Sequence, residues 1–135
     1  MIVYNSLSTK KEPFFPLQKK KLTMYVCGIT PYDTTHLGHA FTYVFFDVVY
    51  RYFLFQGYDV NYTQNVTDID DDVLKKAKES GENWKTLGKK WTNKFLADLK
   101  SLHVIKPTHY VKATNSIPTM ITIITQLLKK KNATH

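Results

Sequence analysis

Two histidines flank a glycine in His36-Leu37-Gly38-His39, and the chain's one cysteine, Cys27, precedes them across a loop that opens with Gly28. Imidazoles beside a phosphate donate hydrogen bonds to the charge that grows on its oxygens as a carboxylate attacks, which stabilises the transition state. A helix beginning there adds unpaired backbone N–H groups and a partial positive charge, and a glycine lets a nucleotide approach the backbone. Histidines three apart on a helix are ordinary surface residues, so the tetrapeptide gains weight from its position between a strand and an amphipathic helix. With no second cysteine, Cys27 is a buried small hydrophobe, a metal ligand or a reactive thiol. Zinc shared by Cys27, His36 and His39 alone would lack the fourth protein ligand of a structural site. The acidic run Asp68 to Asp72 lacks the glycine and terminal glutamate of a calcium loop and reads better as helix capping.

The elements that must position these residues follow from periodicity. The run from Leu22 to Cys27 is a short buried strand, and Gly28 through Thr35 is loop. From Leu37 to Phe55 a helix is expected, with Phe41, Val44, Phe45, Val48, Tyr52 and Phe55 as its buried face. Gly57 sits at its end, and Tyr58 to Val66 alternates as a strand. Strand, helix, strand is a βαβ unit with parallel strands and a right-handed crossover, which makes the fold class α/β. Helices are expected over Asp70 to Glu79 and Asn83 to Leu102, parted by Ser80-Gly81, and a loop containing Pro107 follows. A last helix spans about Ser116 to Lys131, with Ile117, Met120, Ile121, Ile124, Leu127 and Leu128 as its stripe. The stretch Pro13 to Lys21 reads as an exposed connection.

Composition bounds the rest. The 135 residues, 43% hydrophobic and 14% aromatic, suffice for one compact core. No apolar run approaches the roughly 20 residues of a bilayer-spanning helix, and the N-terminus lacks the order of a secretory signal, so a cytoplasmic protein is expected. The net charge of +8 comes from lysine clusters and favours polyanions, RNA among them, although lysines on helices are commonly a solvated face.

The residues around the histidines resemble a known family. The His36-Leu37-Gly38-His39 segment is similar to the HIGH signature of class I aminoacyl-tRNA synthetases. Met24-Tyr25-Val26-Cys27-Gly28, Tyr32-Asp33, Ala40, Thr42-Tyr43 and Asn65-Val66-Thr67-Asp68-Ile69-Asp70-Asp71 narrow it to the cysteinyl-tRNA synthetases. Lys112-Ala113-Thr114 and the helix after it extend the likeness along essentially the whole chain. The resemblance implies the first half of a Rossmann-like catalytic domain over residues 1–102, and the start of a connective insertion over 103–135. It implies ATP-dependent activation of L-cysteine to cysteinyl-adenylate, with Mg²⁺ accompanying ATP, and transfer to tRNA(Cys) by a full-length monomer. It makes His36 and His39 catalytic and Cys27 a ligand of Zn²⁺. Gly28, Ile29, Thr30, His36, Gly38, His39, Thr42, Asn65, Val66 and Thr67 become adenylate-pocket residues. Zinc prefers soft thiolate donors, so selection of cysteine over serine would follow from metal chemistry.

Ile29-Thr30-Pro31 and Phe41 depart from the usual synthetase pattern, and the Gly-Ile-Thr-Pro-Tyr-Asp form is also similar to the cysteine:glucosaminyl-inositol ligase of mycothiol synthesis. The family's other zinc ligands and its Lys-Met-Ser-Lys-Ser loop are absent from these residues, so a truncated chain, inactive alone, is expected. Two other classes compete: a small nucleotidyltransferase of the His-x-Gly-His type, which needs no zinc-bound cysteine, and a basic RNA-binding fragment without chemistry.

Overall fold

A computed structural model describes residues 1–133; residues 134 and 135, the end of the expected insertion segment, lie outside the described residues. Strands β1 (Ile2–Asn5) and β2 (Lys10–Pro13) form an antiparallel ribbon with Ile2 opposite Pro13. The main sheet contains β3 (Lys21–Val26), β4 (Asp59–Val66) and β5 (His109–Lys112) in that order, all parallel. Between them run α1 (Leu37–Phe55), α2 (Asp71–Ser80) and α3 (Trp84–Ser101), and α4 (Ala113–Lys129) follows. The expected α/β class, the parallel β3-α1-β4 unit and the bounds of α1 are borne out.

Along β4 every second residue is buried: Val60, Tyr62, Gln64 and Val66 point into the core, whereas Asp59 and Asn61 are exposed. Onto that one face pack Tyr43, Tyr50 and Phe53 of α1 with Phe95 and Leu99 of α3. The Tyr43 and Phe95 rings meet edge to face at 4.9 Å, and Tyr50 lies against Tyr62 at 5.2 Å, geometries that add to the area term for aromatic pairs. Phe14, within the stretch read as an exposed connection, packs its ring 5.6 Å from that of Phe53 and partly joins the core.

Three expectations change. The face of α1 that turns inward carries Tyr43, Asp47, Tyr50 and Phe53; Phe41, Val44, Phe45, Val48, Tyr52 and Phe55 are exposed. Helix α1 is apolar nearly all round, and a charged residue sits in the centre of its buried face. Asp47 is accommodated there because its carboxylate accepts from Arg51 Nε at 2.6 Å and from the backbone N–H of Ile105 at 2.8 Å, which offsets the desolvation of the charge. Strand β5 replaces the latter part of the loop expected around Pro107. Its four residues pair with Thr63 to Val66 of β4, and the Thr108 hydroxyl accepts from Tyr62 N. Helix α4 begins at Ala113, earlier than Ser116, and none of its stripe is buried. Among the described residues, no helix is long and apolar enough to cross a membrane.

Candidate active site

The C-terminal ends of β3 and β4 lie side by side, and one side chain stitches them. Asn65 Oδ1 accepts from Gly28 N at 2.7 Å and from the Tyr25 hydroxyl at 2.9 Å, while its Nδ2 donates to Thr67 Oγ1 at 3.3 Å. Thr67 N donates to Ile29 O at 2.9 Å, so the loop after β3 continues the sheet's hydrogen bonding for one more step. A Cβ on Gly28 would stand 1.5 Å from Asn65 O, which makes glycine obligatory for this approach. From beneath, the buried Tyr43 donates its hydroxyl to Cys27 O at 3.1 Å, and burial pushes that phenol up to about 12. Cys27 itself is exposed. Its neighbour Tyr25 titrates above 10.0, through desolvation first and the adjacent thiol second.

The two histidines cap α1. His36 is the N-cap: its Nδ1 accepts from Gly38 N at 3.1 Å, and its own backbone N–H donates to His39 Nδ1 at 3.2 Å. This is a capping box built from imidazoles, with the rings 4.0 Å apart. Since a backbone N–H can only donate, each Nδ1 must carry a lone pair, and the neutral rings therefore hold their proton on Nε2. Both Nε2–H groups remain available as donors, beside the positive end of a 19-residue helix whose first turn contains no acid. Partial burial first, and then His36, hold the His39 pKa below the ordinary 6.5.

Gly28, Ile29, Thr30, His36 and His39 line one cavity of about 370 Å³, joined by Tyr32, Asp33, Thr34, Thr35 and Asp72. Its loop wall is tied to two helices. Asp33 accepts from Lys76 of α2 at 2.9 Å, and Thr35 donates to Asp98 of α3 at 3.0 Å. The Lys76 hydrogen bond first, and the backbone N–H of Thr34 second, lower the Asp33 pKa. Ile29 contributes backbone only, since its side chain is in the core, as is that of Val66. Val66, Asn65 and Thr67 lie behind the loop and support it. Gly38 sits under the His36 ring, and Thr42 turns its hydroxyl back to Gly38 O at 3.1 Å. Cys27 stands at the strand end, outside the cavity wall. Among the wall residues not expected to form the site, Asp72, expected only to cap a helix, lies far along the chain and arrives through the packing of α2.

Zinc finds one exposed thiol here. Among the described residues no group of three or more histidine, cysteine or acidic side chains could hold a metal, so these residues alone do not fit a complete zinc site.

A family model described as tRNA synthetases class I (C) catalytic domain matches residues 13–135. A cysteine–tRNA ligase of Francisella philomiragia is 46% identical over 130 residues, 96% of this chain and 28% of the relative. Those of Francisella tularensis subsp. novicida and subsp. tularensis are each 45% identical over the same shares. The chain thus spans little more than a quarter of the length of the curated relatives it matches. With parallel strands delivering a capped histidine pair to their C-terminal mouth, and the family model covering nearly all of its length, the chain belongs to the class I (C) tRNA synthetase catalytic-domain family.

Proposed function

We propose that this chain supplies the nucleotide-binding end of a cysteine–tRNA ligase that uses ATP to activate L-cysteine and then charges tRNA(Cys). The observation that carries the reading is the imidazole capping box, which leaves two Nε2–H donors on the rim of the cavity formed by Gly28, Ile29 and Thr30. When the carboxylate oxygen of cysteine attacks the α-phosphorus, its new P–O bond forms as the bond to pyrophosphate breaks, and charge accumulates on the α-phosphate oxygens. His36 and His39 donate to that charge without changing protonation state, and they are already oriented by the bonds at Nδ1. The N-terminus of α1 adds its field, and the Gly28–Asn65 contact fixes the height of the loop floor. The Tyr43 hydroxyl, through Cys27 O, sets where the thiol stands.

Cys27 is the donor this chain could offer to Zn²⁺, with the other donors coming from outside these residues; zinc would select a soft thiol over a hydroxyl. The relatives are cysteine–tRNA ligases, which favours tRNA over glucosaminyl-inositol as acceptor.

The test grafts residues 1–135 onto the distal part of the Francisella philomiragia relative and measures cysteine-dependent ATP–pyrophosphate exchange and zinc content. His39→Ala is expected to lower kcat by roughly 10²–10³, the scale for removing a donor to a developing oxyanion. Cys27→Ser is expected to lose stoichiometric zinc and the preference for cysteine over serine. A graft that activates cysteine equally well with both histidines replaced by alanine would overturn the proposal.

A further inference from the structure

A second cavity, of about 540 Å³, shares no wall residue with the first. It forms where the start of α3 and the start of α4 meet the loop after β4, and its walls include Asp68, Trp84, Lys85, Lys89, Lys112 and Thr114. Its one acid is already engaged: Asp68 accepts from Thr114 N at 2.9 Å and from Thr114 Oγ1 at 2.7 Å. Among the described residues Lys76, Lys90 and Lys94 have a carboxylate, at 2.9, 3.4 and 2.5 Å, and most other lysines have none, so what distinguishes the cavity is that three of them line one concavity. Among the described residues, Lys85, Lys89 and Lys112 have none. These three lysines line one concavity without a carboxylate partner, Lys85 resting over the Trp84 ring, and together they raise the local potential for an anion.

The indole makes the anion more specific. Trp84 is half-buried in the cavity wall, and Lys85 Nζ lies 5.3 Å from its ring centroid. A bare phosphate has no use for a flat apolar wall, and an apolar ligand has no use for three lysines. An unpaired nucleotide uses both, since its base stacks on an aromatic face while its phosphates meet the lysines. The volume lies within the range of small-molecule pockets and suits a ligand of nucleotide size. A duplex keeps its bases inside the helix and cannot offer one to the indole. We infer that this cavity binds an unpaired nucleotide of single-stranded RNA, with the base on Trp84 and the flanking phosphates on Lys85, Lys89 and Lys112. That the nucleic acid is RNA rests on the tRNA ligase reading above; the stacking-plus-charge chemistry does not.

Fluorescence anisotropy of the 135-residue chain with a labelled single-stranded RNA oligonucleotide, and with the same strand in a duplex, tests the inference. The Lys85→Gln/Lys89→Gln variant and Trp84→Ala are each expected to weaken single-strand binding on the order of tenfold. Trp84→Phe, which keeps an aromatic face, retains most of the affinity. The lysine pair should also lower the salt slope by about two. The control Lys75→Gln/Lys78→Gln removes the same charge from α2 and should change affinity less than about twofold, with circular dichroism showing every variant folded. A control that weakens binding as much as the cavity pair, a Trp84→Ala chain that binds undiminished, or a preference for duplex overturns the inference. Cysteine activation by the graft without cavity-mapped RNA binding also overturns it and leaves the ligase reading intact. Cavity-mapped binding in a chain whose graft does not activate cysteine supports it and removes that reading.

Discussion

A Cβ on Gly38 would stand 2.8 Å from His36 Cε1 and 2.9 Å from its Nδ1, so the glycine between the histidines makes room for an imidazole of its own chain. Gly28 answers to β4 in the same way. Gly28→Ala drives a methyl into the Asn65 carbonyl and is expected to cost about 1–3 kcal/mol or more, read as a lowered midpoint in urea; an unchanged midpoint would mean that the loop does not rest on β4. His39 gives a pH signature. Its depressed pKa means that the folded state prefers the neutral ring, and the unfolded chain takes up a proton first as pH falls below 6.5. The stability it contributes is therefore complete above that value and is lost as pH falls through the lower folded pKa, because the added proton must go to Nδ1, which accepts from His36 N. His39→Gln keeps a capping-box side chain without a titrating ring, and its melting temperature should fall less than the parent's between pH 7 and 5. His36, Gly38 and His39 stand out in the sequence because they are neighbours at a strand-loop-helix junction, whereas Gly28, Ile29 and Thr30 are marked as pocket residues only by the family resemblance. The roles of Asp72, Lys76 and Asp98 depend on where α2 and α3 dock, and no local pattern encodes that.

Among the elements, α1 was legible in extent and illegible in orientation. Phe41, Val44, Phe45, Val48, Tyr52 and Phe55 trace one face at helical spacing, while the face that packs is built from Tyr43, Asp47, Tyr50 and Phe53, and hydrophobic periodicity discounts a face centred on an aspartate whose partners come from Arg51 and Ile105. Strand β5 is only four residues long and borrows its order from β4, so local propensity had little to register. Helix α4 shows the same dependence at its start. Capping accounts for the acidic run, but it is divided between two helices: Asp70 accepts from Asp72 N at the start of α2, whereas Asp68 reaches across to Thr114 of α4. With Lys112 at the N-cap making no side-chain bond, Asp68 is the carboxylate that holds the first turn. Asp68→Ala should cost about 0.5–2 kcal/mol and speed hydrogen exchange in the first turns of α4 while leaving that of α1 unchanged. Uniform acceleration across both helices would show that Asp68 serves the whole fold instead.

At the scale of the molecule, a parallel sheet normally has both faces covered, and here the helices pack on one. The other face of β4 presents Asn61, Thr63 and Asn65, while α1 turns Phe41, Phe45, Val48 and Phe55 outward at 75%, 55%, 60% and 85% exposure. Exposed apolar surface of this extent marks a contact surface. Two forces then compete in the isolated chain. The net charge of +8 keeps copies apart, and the apolar face of α1 draws them together. Salt decides between them by sign: screening removes the repulsion and leaves the hydrophobic attraction intact. Sedimentation velocity should show association that strengthens from 50 to 300 mM salt, together with binding of an apolar dye such as ANS. Phe45→Lys/Val48→Lys should reduce both, and because both side chains are largely exposed, its unfolding free energy from urea titration should stay within roughly 0.5 kcal/mol of the parent. Association that weakens with salt would trace self-contact to charge and remove the assignment of the α1 outer face as the adhesive surface.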